Sequence, residues 1–151
     1  MPLTRDEDIA DLLMNARTVA VIGASDQPSR PSYGVMQFLQ SRGYRVIPVN
    51  PQITGEHVLG EFVWRELAQI GEPIDIVDIF RRSEAAGEAV DQAIFAGAKA
   101  VWMQLGVVDQ DAARRAEEAG LKVVMDRCPK IEILRLQLAP LPSAVDAAST
   151  S

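Results

Sequence analysis

Short apolar runs alternate along the chain with longer segments in which apolar residues follow helical spacing. The first run, Thr18–Ile22, is almost free of polar residues, as is typical of a strand buried on both faces of a parallel sheet. The runs that predict five strands are Thr18–Ile22, Arg45–Val49, Ile74–Phe80, Lys99–Leu105 and Leu121–Met125.

Helix start and stop signals lie between these runs. Ser32, Ser83 and Asp109 can each cap a helix, and Pro129 can open a last short one. Strands that alternate with helices form βαβ units, and such units imply a parallel sheet with helices on both faces. We therefore predict one α/β domain over residues 1–138, with a Rossmann-like doubly wound sheet of about five strands.

Composition changes after the last predicted helix. From Ala139 onward Pro, Ser, Ala and Thr dominate, which predicts a disordered tail over residues 139–151. The stretch from Asn50 to Gly60 is predicted as a loop, followed by a short helical piece near residues 64–70. Pro48 within the second strand cannot donate to a sheet ladder, so this strand is expected at an edge or to end there.

Bulk properties exclude several classes of protein. No apolar run approaches the roughly 18 residues that span a bilayer, and the N-terminus has no signal-peptide pattern, so a cytoplasmic location is expected. The one cysteine, Cys128, cannot form an internal disulfide, which suits a reducing compartment. A net charge of −6 argues against a general nucleic-acid surface.

The predicted carboxyl ends of the strands carry the candidate site, because ligands of doubly wound sheets bind there. Each strand is followed by small or polar residues that would meet at one rim. These segments are Gly23–Ala24–Ser25, Asn50–Pro51, Phe80–Arg81–Arg82, Gln104–Leu105–Gly106 and Asp126–Arg127–Cys128.

The rim does not match an ordinary NAD site. Gly23 fits the first glycine of the dinucleotide fingerprint, but Ser25 stands where the second would be. An acidic residue that reads the ribose is expected at the end of strand two, and Asn50 is there instead. Arg30 and Arg81, together with the next arginine, could pair with phosphates, although each could also be a solvated surface residue.

Other polar residues favour structural roles. His57, the only histidine, is predicted on a surface loop, with neither a metal site nor a nucleophile–base pair around it. Asp75 and Asp78 are predicted as a strand-start cap and a polar position facing a neighbour. Trp102 is predicted in the core, and Met103 is expected either there or against a ligand.

Five collinear motifs resemble a known family, the small bacterial coenzyme A-binding domain proteins. These are similar in fold to the N-terminal domain of the succinyl-coenzyme A synthetase alpha subunit. The motifs are Val-Ala-Val-Ile-Gly-Ala-Ser at 19–25, Gly-Tyr-Arg-Val-Ile-Pro-Val-Asn-Pro at 43–51, Asp-Ile-Val-Asp-Ile-Phe-Arg-Arg at 75–82, Ala-Lys-Ala-Val-Trp-Met-Gln-Leu-Gly-Val at 98–107 and Asp-Arg-Cys at 126–128.

The resemblance implies coenzyme A as the cofactor, lying across the strand ends. Its phosphates would lie near the first loop, and Phe80, Met103, Leu105 and Val107 would offer an apolar wall to the pantetheine arm. No histidine for phosphoryl transfer is present, and Ile133 stands where relatives often carry an imidazole. The residues that the resemblance assigns to binding are Gly23, Ala24, Ser25, Arg30, Asn50, Pro51, Phe80, Arg81, Gln104 and Leu105.

The function expected is non-catalytic binding of coenzyme A or an acyl-coenzyme A. Three alternatives stay open: an acyl or thiol transfer enzyme that uses Cys128, an NAD(H)-binding redox-sensing domain, and an interaction module. No base adjoins Cys128 in the sequence, and free cysteines are commonly buried, which disfavours the first. The expected partner is a small molecule, with no metal, nucleic acid or membrane, and self-association is left open.

Overall fold

Five parallel strands form the central sheet in the computed structural model, which describes residues 1–143. Two further short strands pair as an antiparallel hairpin. In chain order the strands are β1 Thr18–Ile22, β2 Arg45–Val49, β3 His57–Val58, β4 Glu61–Phe62, β5 Ile76–Ile79, β6 Ala100–Met103 and β7 Lys122–Val124.

Five α-helices cover the two faces of the sheet. They are α1 Asp6–Asn15, α2 Pro31–Ser41, α3 Ser83–Phe95, α4 Gln110–Glu118 and α5 Pro129–Arg135, and a 3₁₀ turn spans Leu67–Gln69. The strand order is β2-β1-β5-β6-β7, so successive connections run first to one side of β1 and then to the other. The predicted doubly wound parallel sheet of about five strands is confirmed.

Alternation of side chains along each strand divides the core into two layers. On β1, Val19 and Val21 pack with α1, α2 and α5, whereas Ala20 and Ile22 pack with α3 and α4. Both layers consist of apolar side chains withdrawn from water, which is the main favourable contribution to folding. Pro48 lies in β2 at the edge of the sheet, as its missing N–H predicts.

Two predicted helix caps are wrong by one or two positions. The N-cap residues of α2 and α3 are Arg30 and Arg82, and neither side chain accepts a hydrogen bond from the helix. Ser32 lies inside the first turn of α2, because Pro31 occupies the first helical position. The predicted cap of α4 is confirmed, since Asp109 accepts a hydrogen bond from the backbone N–H of Ala112.

The connection between β2 and β5 differs from the predicted loop. It contains the β3–β4 hairpin, in which the exposed His57 packs edge-to-face on Phe62, with ring centroids 5.9 Å apart. His57 therefore lies on a short strand rather than in a loop. Strands of two residues are too short to show an alternating pattern, which is why the sequence did not reveal them.

Residues 139–143 are more ordered than the predicted disordered tail. Leu141 is 1% exposed, and its backbone N–H donates to the carbonyl of Arg42 at 2.9 Å. Ser143 Oγ also donates to the carbonyl of Gly43, so the segment packs against the end of α2 through both its apolar and its polar groups. Residues 144–151, the rest of the predicted tail, lie outside the described residues. Within the described chain, no helix combines the length and apolar character needed to cross a membrane.

Candidate functional site

The strand order reverses between β1 and β5, and a cleft of about 1100 Å³ opens at the carboxyl ends of the strands. A reversal of this kind separates the two connecting loops and leaves a crevice, which is where ligands of such sheets bind. The loops after β1, β2, β5 and β6 contribute to its walls, together with the beginnings of α2 and α5.

Every binding residue that the sequence predicts lines this cleft, except Pro51. Pro51 instead lines a separate cavity of about 360 Å³, together with Ile22, Val49 and Arg65. The chain turns directly after β2, at Pro51 and Gln52, and the turn leaves Asn50 at the cleft. Pro51 therefore lies outside the cleft that the other predicted residues line.

Asn50 ties the loop after β2 to the loop after β1. Its Nδ2 donates to the carbonyl of Ala24 at 2.7 Å, and its Oδ1 accepts from the backbone N–H of Gln52 at 2.8 Å. An aspartate here would keep the second bond but lose the first, because a carboxylate has no donor. Asn50 therefore shapes the cleft with both ends of its amide.

The cleft is locally basic although the whole chain is acidic. Arg30, Arg81 and Arg82 line it, whereas Asp26 is the acidic residue among its lining groups. Within residues 1–143 these three arginines take no part in an ion pair. They are free to form charge-assisted hydrogen bonds to an anionic ligand.

Two arginines that line the cleft directly precede helices and do not cap them. Arg30 precedes α2 and Arg82 precedes α3, and an arginine cannot cap because its side chain has no acceptor. The first-turn N–H groups of a helix carry a partial positive charge and need an acceptor. At the positions where serine caps were predicted, arginines that line the cleft therefore precede both helices, and Ser32 near the start of α2 lines the cleft as well.

One wall of the cleft is apolar. Phe80, Leu105 and Val107 line it as predicted, but Met103 is wholly buried in the layer under α3 and α4 and does not. Met103 is the last residue of β6, so the alternation of side chains along the strand still places it in the core. Leu105 is 56% exposed, which suits a surface that a ligand would cover.

Sequence reasoning missed several lining residues. Ser32 and Val35 come from the first turns of α2, Ile53 and Thr54 from the loop after β2, and Ile131 from α5. The amphipathic pattern of α2 marked Val35 as a core position, and no local signal separates core from cleft at the end of a helix. The packing of α2, α5 and the loop after β2 on the same face of the sheet brings these residues together.

Cys128 has features of a buried core cysteine and also of a thiol at the ligand site. It is 6% exposed and belongs to the core layer, yet it also lines the cleft, and it is the N-cap residue of α5. The neighbouring Arg127 pairs with Glu132 at 2.6 Å, and Lys130 lies 5.6 Å from the ring centroid of Phe38. Both flanking cations are therefore directed to other partners.

The two aspartates of the third predicted strand have separate roles. Asp75 Oδ2 accepts from the backbone N–H groups of Arg17 and Thr18, at 2.8 and 3.0 Å, so it caps a strand start, and that strand is the neighbouring β1. Asp78 lies in β5 and is fully buried. Burial raises the pKa of Asp78 well above its usual value, and the backbone N–H of Ile79 opposes that shift.

Comparison with known proteins identifies close relatives. The sequence pattern of the family described as "CoA binding domain" matches residues 17–133. The Bacillus subtilis protein YneT is 38% identical over 124 residues, which are 82% of this chain and 90% of that protein.

Two solved structures share the fold and much of the sequence. A protein from Pyrococcus horikoshii OT3 is 39% identical with a TM-score of 0.84, covering 91% of this chain and 96% of its own. A protein from Thermus thermophilus, described as cell-free ID.343, is 38% identical with a TM-score of 0.83, covering 88% of this chain and 99% of its own. All the residues that line the cleft fall inside the segment matched by the family.

Proposed function

Since the chain belongs to the CoA binding domain family, we propose that it binds coenzyme A or an acyl-coenzyme A in the cleft between β1 and β5. The observation that carries this proposal is that the segment matched by the family contains the whole cleft. Every lining residue lies within residues 17–133. The family predicted from the five motifs is confirmed. That the ligand is coenzyme A is what we propose in addition.

The distribution of charge supports an anionic nucleotide. Coenzyme A carries phosphate groups, and Arg30, Arg81 and Arg82 offer charge-assisted hydrogen bonds to them. The start of α2, where Ser32 lines the cleft and no side chain caps the helix, adds a backbone donor and the positive end of a helix dipole. These groups would neutralise phosphates without making the protein basic overall.

The opposite wall suits the pantetheine arm. That arm is long and only partly polar, and Phe80, Leu105 and Val107 supply apolar surface against which it can lie. Leu105 would lose most of its exposure to water on binding. Burial of apolar area contributes roughly 25 cal/mol per Å², so this wall adds affinity for a ligand that has such an arm.

We further propose that binding is the whole activity and that it takes place in the cytoplasm. The cleft contains one thiol, Cys128, and the hydroxyls of Ser25, Ser32 and Thr54, and an acyl or thiol transfer would require a base beside one of them. The only histidine of the sequence, His57, lies on the hairpin and not among the cleft residues. These points favour a carrier or sensor of coenzyme A over a transferase.

Release of bound ligand tests the proposal. Protein purified without added nucleotide is denatured, and the supernatant is analysed by mass spectrometry; a coenzyme A or acyl-coenzyme A mass is expected. Protein without bound ligand is tested by thermal unfolding. Coenzyme A at a hundred times its Kd adds about 2.7 kcal/mol, which shifts Tm by roughly 5–10 °C. Release of a different nucleotide, or no shift at millimolar coenzyme A, would overturn the proposal.

A further inference from the structure

Exposed apolar side chains gather beside the cleft. Apart from the N-terminal methionine, the large hydrophobic side chains with high exposure among residues 1–143 are Phe62, Phe95, Leu105, Val108, Ile131 and Leu134. Four of these six belong to two segments, the loop after β6 and helix α5. Leu105 and Ile131 line the cleft and are 56% and 48% exposed. Exposed apolar side chains that cluster in this way mark a binding surface.

The two segments are held side by side. β6 and β7 are parallel neighbours, so the chain leaves both strands at the same end of the sheet. The backbone N–H of Gly106 donates to Asp126 Oδ1 at 2.7 Å. This bond fixes the loop that carries Leu105 against the residues that lead from β7 into α5. Leu105 and Ile131 therefore belong to one continuous part of the cleft wall.

Helix α5 has one apolar side toward the core and a second toward solvent. Pro129 and Ile133 are buried, whereas Leu134 is 55% exposed. Leu134 follows Ile131 by three positions, so the two side chains lie on the same side of the helix, about 4.5 Å apart along its axis. Because Leu134 does not line the cleft, the apolar surface continues from Leu105 past Ile131 to the outside of the cleft. We call these three residues the apolar strip.

The charged groups of α5 are directed to other partners. Lys130 Nζ lies 5.6 Å from the ring centroid of Phe38. Glu132 is buried and pairs with Arg135 at 3.0 Å, and Arg135 also pairs with Asp6 at 2.8 Å. The strip therefore offers apolar contacts alone. An apolar group that covers it gains from burial, whereas a polar group would lose its hydration there without replacement.

The cleft changes from basic to apolar along the order of the strands. Its three arginines come from the loops after β1 and β5, whereas its exposed apolar side chains, Leu105 and Ile131, follow β6 and β7. With the phosphates of coenzyme A at the arginines, the pantetheine arm extends toward β6, and its sulfur comes to the start of the apolar strip. A group attached to that sulfur is then the part of the ligand that lies on the strip.

We propose that the ligand is an acyl-coenzyme A with an apolar acyl chain, which lies on the strip formed by Leu105, Ile131 and Leu134. The inference rests on the proposed function, because it specifies which form of coenzyme A the cleft takes. A second copy of the chain fits the strip less well. A stable interface buries roughly 800 Å² per partner, and three half-exposed side chains supply far less apolar area than that.

The length of the acyl chain tests the proposal. Coenzyme A and its acetyl, butanoyl and hexanoyl thioesters are titrated by calorimetry into one preparation of ligand-free protein. Full burial of a methylene is worth about fourfold in affinity, and a chain covered on one side should gain about half of that free energy. Each added methylene should therefore tighten binding about twofold. Dissociation constants that do not depend on the acyl chain would overturn the proposal and leave coenzyme A binding intact.

A variant outside the cleft tests the position of the chain. Leu134→Gln removes apolar surface from the strip and keeps good helix propensity. The ratio of the affinity for hexanoyl-coenzyme A to that for coenzyme A should fall roughly threefold, as when one or two methylenes lose their apolar contact. The control Phe95→Gln removes an 85% exposed side chain of α3 outside the cleft, and it should keep the parent ratio. An equal ratio in the parent and Leu134→Gln would overturn the proposal.

Sedimentation of the ligand-free proteins tests the other occupant of the strip. The parent and Leu134→Gln should have the same mass in solution. A parent dimer that dissociates in Leu134→Gln would assign the strip to a second copy of the chain and overturn the proposal. If neither coenzyme A nor any of its thioesters binds, the proposed function falls together with this inference.

Discussion

Gly23 and Phe80 are in direct backbone contact across the gap between β1 and β5. A Cβ atom built on Gly23 would lie 2.1 Å from the carbonyl oxygen of Phe80. Gly23 also has a φ of +85°, which L side chains rarely adopt. This contact between the two loops that flank the cleft therefore requires glycine at position 23.

Replacing Gly23 tests that requirement. Gly23→Ala should destabilise the fold by more than the roughly 1–3 kcal/mol of left-handed backbone strain, since the new Cβ also meets backbone atoms of Phe80. Denaturant unfolding measures the change. Gly34→Ala is the matched control, because no atom within 4 Å would meet a Cβ there and alanine should stabilise α2 by about 0.5–1 kcal/mol. Equal stability of the two variants would contradict this view of the loop.

The arginines of the cleft should contribute to affinity and not to folding. A charge-assisted contact is worth about 1.5–3 kcal/mol, so Arg30→Ala and Arg81→Ala should each weaken coenzyme A binding tenfold or more, with unchanged unfolding curves. Arg65→Ala removes the same charge outside the cleft and should have little effect. If all three variants bind alike, the phosphates lie elsewhere.

The raised pKa of Asp78 predicts how stability depends on pH. Because the folded state holds this proton more tightly than the unfolded chain, the stabilisation is complete below the ordinary pKa of 3.8 and is lost as pH rises toward the folded-state value. As pH rises from acid to neutral, the parent should lose this stabilisation and Asp78→Asn should not. The free energy of unfolding of Asp78→Asn should therefore increase relative to that of the parent. A constant difference between the two proteins would show that Asp78 ionises normally.

Glu132 should show the opposite dependence. Burial raises its pKa, but hydrogen bonds from Arg135 and Arg127 outweigh burial, so the pKa of Glu132 is lowered. Its contribution is then present above the ordinary pKa of 4.5 and is lost as pH falls through the folded-state value. Glu132→Gln should cost about 1.5–3 kcal/mol at pH 7 and less at pH 3. A cost that is the same at both pH values would contradict the ion-pair assignment.

The sheet could be predicted from sequence because each buried strand is a continuous apolar run. Thr18–Ile22 and Arg45–Val49 were predicted with the bounds that the structure has. The predicted strand over Ile74–Phe80 is shorter in the structure, Ile76–Ile79. At its two ends the backbone N–H groups of Asp75 and Phe80 still donate to Thr18 and Ile22 of β1, so the predicted bounds exceed the assigned strand only at its margins.

The sequence could predict a residue of the candidate site only where that residue directly follows a strand. Strand ends gave Gly23, Asn50 and Gln104, since parallel strands end at one rim. The direction of Pro51 and the contact of Asp78 with Gln104 could not be foreseen, because they depend on side-chain orientation and on pairing between strands distant in sequence.

Calorimetric titration of one ligand-free preparation with coenzyme A and with NAD tests the central claim most directly. Coenzyme A should bind one per chain, and NAD should bind at least about tenfold more weakly, because Asn50 stands where an acid would accept from the ribose. Equal dissociation constants for the two ligands, or no heat of binding with millimolar coenzyme A, would contradict the assignment of the cleft to coenzyme A.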